Sequence, residues 1–350
     1  MRVVITGATG NVGTSLVRAL AEERAVDSVL GLARRRPGWE VAQTEWVAAD
    51  VATSDLAPLF RGADVVVHLA WLIQPSRDVH AMRQVNVIGS ERVFRAAADA
   101  GVKALIDGSS VGAYSPGPKD RAVDEQWPTD GVATSFYSRH KAEVERRLDR
   151  FEAELPDIRV VRLRPGLIFK REAGSGVRRL FLGPFVPTSL MTPAALPVVP
   201  DVDGLRFQAV HSSDVAEAYR LAIVGDGRGA FNIAAAPLLD PATLADLLGA
   251  RRVRFPAGAL RAAAAVSWRM RLQPTPPGWV DLALSVPVMD ATRARQELGW
   301  KPRIDAGEAL LELLDGIRDE AGLDTPPLAP STGGRLRRRE LRTGVGARTG

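Results

Sequence analysis

The sequence predicts an α/β protein, a parallel sheet with helices wound over both faces, followed by a smaller second lobe. Three observations carry this. Short β-rich runs alternate with helical patterns over the first two-thirds of the chain, as strand–helix–strand units require. The runs are rich in Val, Ile and Leu and poor in charge, as expected of strands covered on both faces. The first run leads directly into a glycine-rich turn that opens a helix.

In chain order, strands are expected at residues 3–6, 28–33, 45–48, 64–69, 104–108 and 159–163. Helices are expected between them at 11–23, 79–100 and 136–154. After Arg164 the periodicity loosens. Residues 170–208 are rich in proline and apolar side chains, and a stretch that long and apolar has to bury against something. A substrate-facing subdomain is the reading that follows. Order returns with a pattern at 210–224, a strand at 230–234 and helices near 241–248, 257–272 and 306–320.

Composition narrows the function classes. Of the 350 residues 46% are apolar and 25% charged, ordinary for a globular protein. The absence of cysteine excludes disulfide scaffolding, thiolate catalysis and cysteine metal sites, and it fits a reducing cytoplasm. A first strand starting at Arg2 leaves no room for a signal peptide, and no apolar run reaches the ~18 residues of a membrane span. A cytoplasmic location with no membrane partner is therefore expected. The net charge of +5 sits entirely in residues 335–350, which hold six arginines and one glutamate. The body is neutral, so no nucleic-acid partner is expected. The Gly-, Pro- and Thr-rich segment 325–350 reads as a basic, disordered tail.

The turn after the first strand reads Thr6-Gly7-Ala8-Thr9-Gly10-Asn11-Val12-Gly13. One glycine permits the tight turn, one admits a pyrophosphate to the backbone, and one lets helix and strand pack closely. Phosphates would then meet the free N–H groups at the helix start. This marks a Rossmann-type dinucleotide-binding domain over residues 1–165, with a later contribution from about 205–235; residues 166–320 are left mainly to substrate. The second strand ends in Ala33-Arg34-Arg35-Arg36, without the carboxylate that would bond the ribose 2′-hydroxyl of NAD. Guanidiniums there suit a 2′-phosphate, so Arg34 and Arg35 favour NADP(H) over NAD. Asp50 and Val51, after the third strand, would meet the adenine. Leu69, Ala70 and Trp71, after the fourth, would line the cofactor channel.

Tyr137 and Lys141 lie four apart in a helical pattern and share a face. A tyrosine hydroxyl titrates near 10, and an ammonium one turn away favours the phenolate. Gly108-Ser109-Ser110 ends the fifth strand, on the sheet edge where ligands bind in such folds. Ser110 is the candidate to hold a carbonyl oxygen while Tyr137 moves the proton, with Ser109 a cofactor or supporting contact. No His, Asp and Glu spacing suggests a metal site. His80 and His140, on helices, read as solvated, and Trp71 is the one tryptophan expected near the cleft.

These motifs resemble the extended short-chain dehydrogenase/reductase group, the NAD-dependent epimerase/dehydratase family, over roughly residues 1–320. The glycine turn is similar to the family's TGxxGxxG, and His68-Leu69-Ala70 to its H-x-A. Asn86-Val87-Ile88-Gly89-Ser90 resembles NVxGT, Tyr137–Lys141 the YxxxK pair, and Arg164-Pro165-Gly166 the RPG beside the nicotinamide. Residues 211–216, 231–233 and 290–302 resemble the closing motifs. The resemblance implies Ser110, Tyr137 and Lys141 as catalytic residues, with Lys141 also on the nicotinamide ribose. It adds Asn86, Pro165, Gly166, Leu167 and Ile168 to the cofactor residues, and it implies a homodimer through helices 79–100 and 136–154.

The pattern departs in places. Nucleotide-sugar epimerases of the family resemble one another in an arginine four residues before the histidine of residue 211; here that position is Phe207, with Arg206 beside it. Residues 180–200 are mostly Leu, Phe, Pro and Val, and Val111 stands where a dehydratase would carry an acid. The expectation is an NADP(H)-dependent oxidoreductase that interconverts a carbonyl and a secondary alcohol on a fairly apolar small molecule. The alternative is a nucleotide-sugar epimerase or dehydratase with tightly bound NAD, and a catalytically silent NADP sensor stands further off.

Overall fold

Seven parallel strands form the centre of the computed structural model, which describes residues 1–333 and 337–347. They are β1 (Arg2–Thr6), β2 (Ser28–Ala33), β3 (Thr44–Ala48), β4 (Val65–His68), β5 (Ala104–Gly108), β6 (Arg159–Pro165) and β7 (Gly229–Ile233). Their order across the sheet is β7-β6-β5-β4-β1-β2-β3. The chain reverses its winding between β1 and β4, so a crevice opens beyond the carboxyl ends of those strands. Every strand lies within two residues of its expected place.

The two faces bury separate cores. Val3, Ile5, Val67, Ile106 and Val161 pack under α1 (Asn11–Ala21) and α4 (Ser212–Val224). Val4, Val66, Leu105 and Val160 pack under α2 (Ser90–Asp99) and α3 (Phe136–Glu154). Asp305 caps α5 (Ala306–Arg318), its carboxylate accepting from Glu308 N. This helix crosses the segment after β6 so closely that a Cβ on Gly174 would lie 2.2 Å from the Gly316 carbonyl carbon.

Three expectations give way here. The helix expected over 79–100 is interrupted by a π-helical turn, Gln84–Gly89. The wider turn lets Asn86 reach out of the helix, where its side chain accepts from Leu72 N (2.7 Å) and donates to Leu72 O (2.8 Å). His140 is buried and not solvated, because its helix face turns inward beside Phe136 (ring centroids 6.0 Å apart); burial pushes its pKa down to about 4.

The basic tail, expected to be disordered, is docked over its described residues. Thr325 and Leu328 are buried. Arg178 is buried and pairs with Glu340 at 2.5 Å. Arg77 Nε donates to Val345 O (3.1 Å), and Arg337 donates to Pro184 O and Val186 O. Backbone carbonyls and one acid satisfy arginines that composition alone assigns to water. Arg338 and Arg339 of the tail lie on the short helix Arg338–Arg342, while Arg335 and Arg348 fall outside the described residues. No helix among the described residues is long and apolar enough to cross a membrane.

Candidate active site

At the carboxyl ends of β1, β2 and β4 the glycine turn closes against its neighbours. Gly7 has φ +71°, a conformation that suits glycine, and a Cβ there would stand 2.6 Å from Ala70 N. A Cβ on Gly13 would lie 2.6 Å from the Ala8 carbonyl, so only glycine allows α1 this near the turn. The turn faces a cavity lined by Gly7, Thr9, Gly10, Arg34, Arg35, Asp50, Val51, Leu69, Ala70 and Trp71. Ten of the expected cofactor residues therefore meet around one space. The bare backbone cradle at a helix start fits a dinucleotide pyrophosphate.

The other expected cofactor residues are not on that wall. Asn11 Nδ2 donates to Ile168 O (3.0 Å), tying the turn to the strand Leu167–Phe169. Val12 packs against the core. Pro165 ends β6, and Gly166 is held under Gln208, where a Cβ would sit 2.4 Å from its carbonyl oxygen. Leu167 pairs with Ala209 and is exposed. Asn86 acts through Leu72, as described. Ser109 turns away from the cavity and donates to Glu145 Oε1 at 2.5 Å.

Trp71 joins the cavity to the candidate trio Ser110, Tyr137 and Lys141. Its ring lies 5.8 Å from that of Tyr137, edge to face, and the Lys141 ammonium sits 3.5 Å above its centroid. Lys141 Nζ also donates to Gly108 O at 2.5 Å. Ser110 Oγ accepts from Gly112 N (3.0 Å), the residue against which the Tyr137 ring also rests, so the serine hydroxyl is held beside the tyrosine. Gly112 leaves room for the tyrosine: a Cβ there would be 2.7 Å from Tyr137 Cε1. Ser110, Tyr137 and Lys141 are thus brought together.

The electrostatics differ from the expectation in one respect. Burial pushes the Tyr137 hydroxyl up to about 12, and the hydrogen bond with Ser110 only partly opposes it. Lys141 Nζ stands 6.0 Å from the tyrosine ring centre, while burial brings its own pKa down to about 8. Tyr137 is therefore held as the neutral acid. His68 bridges Thr6 (2.7 Å) and Ser90 (2.8 Å); burial first, and then the Lys141 charge, lower it to about 3 and keep it neutral.

Several lining residues left no local mark in the sequence. Trp279 stacks on Tyr137 with centroids 4.9 Å apart, so Trp71 is not the one tryptophan at the cleft. Phe181 meets Trp279 edge-on at 5.1 Å. Arg179, Pro326 and Pro327 complete the cavity from the second lobe and the tail. Arg206 is occupied: it donates to Lys119 O and its carbonyl accepts from Lys119 Nζ (2.9 Å), while Phe207 pairs its backbone with Leu239.

A model of the NAD-dependent epimerase/dehydratase family matches residues 3–234. An uncharacterized Mycobacterium tuberculosis protein is 27% identical over 92% of this chain, and the chain spans about 31% of that relative's length. A UDP-glucose 4-epimerase of Mycolicibacterium smegmatis is 27% identical, covering 92% of this chain and 100% of that protein. A ceramide reductase of Caulobacter vibrioides is 36% identical over 37% of this chain and 41% of its own length. Among solved structures, the Thermus thermophilus UDP-glucose 4-epimerase in complex with NAD superposes with a TM-score of 0.66 at 22% identity, over 91% of this chain and 99% of that one.

Proposed function

The chain belongs to the NAD-dependent epimerase/dehydratase family, and from that premise we propose that it oxidises and re-reduces a carbinol carbon of a nucleotide sugar. The bound nicotinamide would accept and return the hydride. The observation that carries hydride chemistry is the meeting of Ser110, Tyr137 and Lys141 beside Trp71, at the end of the glycine-lined cavity. Ser110 Oγ holds the substrate oxygen. Tyr137 takes its proton on oxidation and gives it back on reduction. Taking that proton requires the Tyr137 phenolate before oxidation, the form that the Lys141 ammonium favours, and leaves the neutral phenol that returns the proton on reduction. Trp71 and Trp279 cover the tyrosine ring and limit water at the reacting carbon.

The choice of nucleotide sugar over a net reduction rests on the relatives, and it revises the preference read from the sequence. The UDP-glucose 4-epimerase match runs the full length of that protein. NAD in place of NADP(H) is proposed on the same footing, since the structurally similar epimerase was solved with NAD.

One observation favours a second reading, the NADP(H)-dependent reductase of an apolar carbonyl. Trp279 faces Tyr137 with Phe181 against its far side, Arg34 and Arg35 stand on the cavity wall, and Arg206 is already bonded. The part-length match to a ceramide reductase leans the same way. The test is to denature the purified protein, identify the nucleotide released, and incubate native protein with UDP-sugars without added cofactor. Released NAD and epimer formation support the proposal. No nucleotide, no epimer and NADPH oxidation with a lipid-like ketone would replace it with the second reading.

A further inference from the structure

We infer that Asp107 is a positioning residue for catalysis: its buried carboxylate is the counter-charge that keeps Lys141 an ammonium. The inference deepens the proposed function, resting on Lys141 as part of the hydride site.

The sheet register places Asp107. Thr6 pairs with His68, His68 with Asp107, and Asp107 with Arg162, so four neighbouring strands carry one polar row. Two residues back on the same face the row is Val4, Val66, Leu105 and Val160, all in the core. The change from apolar to polar falls at the strand ends, under the successive turns of α3 that bear Lys141 and Glu145. A carboxylate at the centre of such a row carries a heavy desolvation penalty unless a charge answers it.

Its neighbours leave Lys141 as that charge. His68 is bonded to Thr6 and Ser90 and held neutral. Arg162 donates from its Nη atoms to Glu145 (3.2 Å), Asp149 (2.5 Å) and Glu152 (2.6 Å) and makes no hydrogen bond to Asp107, on which its charge acts less than that of Lys141. Glu145 is saturated in turn by Ser109, Arg162 and Arg164. On the opposite face, the Tyr219 hydroxyl approaches the next residue, Gly108. Asp107 itself is 2% exposed, and its Oδ2 has no hydrogen-bond partner among the described residues. Lys141 Nζ is brought to the adjoining peptide by its 2.5 Å bond to Gly108 O.

The charges act in the matching sense. Burial raises Asp107 to about 7, against which Lys141 pulls it down; burial lowers Lys141 to about 8, against which Asp107 pulls it up. Removing the carboxylate should therefore let Lys141 lose its proton at lower pH, and with it the ammonium that Tyr137 needs.

The chain has five lysines, so a protein labelled with [ε-13C]lysine gives few signals, and Lys141→Met identifies the one that matters. The expected result is that Asp107→Asn lowers the Lys141 titration midpoint by about one pH unit, in the range for loss of a near opposite charge. The alkaline limb of the rate profile should move by the same amount. An unmoved midpoint in folded Asp107→Asn overturns the inference and makes Asp107 merely structural. Should that variant not accumulate, Asp107→Ser removes the same charge and is read the same way. A shifted midpoint in a protein with no nicotinamide-dependent turnover leaves the inference standing and instead sinks the proposed function.

Discussion

Glu145→Gln keeps the side-chain volume and removes one charge from the most deeply buried ion cluster among the described residues. Glu145 is 1% exposed and accepts from Arg164 Nε (2.8 Å) and Nη2 (3.0 Å), from Arg162 Nη1 (3.2 Å) and from Ser109 Oγ (2.5 Å). Both guanidiniums are nearly buried, with side-chain exposures of 8% and 5%. Breaking a buried pair by removing one partner costs about 3–5 kcal/mol, since the remaining charge stays desolvated. Linkage gives a similar size. Burial alone would raise the Glu145 carboxyl, but the Arg164 and Arg162 charges and bonds outweigh it and hold it at about 2 against a usual 4.5. A depression of that size corresponds to about 3 kcal/mol. A depressed carboxyl contributes fully above pH 4.5, and the contribution fades as pH falls toward 2. Urea denaturation at pH 7 should therefore place Glu145→Gln about 3 kcal/mol below wild type, and the gap should narrow below pH 4.5. The double variant with Arg164→Met should lose less than the sum of the single losses. A loss under about 1 kcal/mol at pH 7, the scale of a surface pair, would refute the reasoning.

Tyr137→Phe should keep the melting temperature and lower turnover by roughly 10²–10⁴-fold, the usual contribution of a positioned acid–base group; turnover within tenfold of wild type would remove Tyr137 from proton transfer. Gly7→Ala should weaken NAD binding at least tenfold by calorimetry, because its Cβ would meet Ala70 N at 2.6 Å and the residue holds φ +71°. It should also destabilise by about 1–3 kcal/mol, and unchanged stability and affinity would show that the turn relaxes freely. Replacing Arg34 and Arg35 together by serine should leave NAD affinity within about twofold, as expected of exposed side chains near an uncharged ribose. A tenfold loss of NADP binding with full function lost would instead favour the reductase reading.

Much of the sheet and of the cavity wall was legible because both depend on local pattern. Strands covered on both faces read as unbroken Val, Ile and Leu, and a glycine turn between strand and helix has few other uses. Ser110, Tyr137 and Lys141 could be found because the hydroxyl ends a strand and the pair shares one helix face. What stayed hidden depends on distant chain. Trp279 reaches Tyr137 from a helix that begins at Gly278, far along the sequence. Nothing beside it in sequence marks the contact. The burial of His140 follows from which face of α3 meets the sheet, and Arg178 was unreadable without its partner Glu340. The π-helical turn at Gln84–Gly89 has no period of its own; its cause is the pull of Leu72 on Asn86.

The polar row explains why stability and chemistry are tied together in this sheet. Below α3 three buried cations, Lys141, Arg162 and Arg164, meet two buried carboxylates, Asp107 and Glu145. Arg162 draws its further partners, Asp149 and Glu152, from the rim. Glu145 answers both arginines, so its charge fixes the end of β6 and, through Ser109, the end of β5. That leaves Asp107 and Lys141 as the pair not otherwise committed. A charge at Lys141 that were fully neutralised by a tight ion pair would offer little to a phenolate at Tyr137, and one with no counter-charge would lose its proton in so buried a place. A carboxylate near the ammonium but not bonded to it meets both demands. The strand ends therefore carry their rigid charges on one helical turn of α3, at Glu145, and their adjustable charge on the preceding one, at Lys141, beside the tyrosine that uses it.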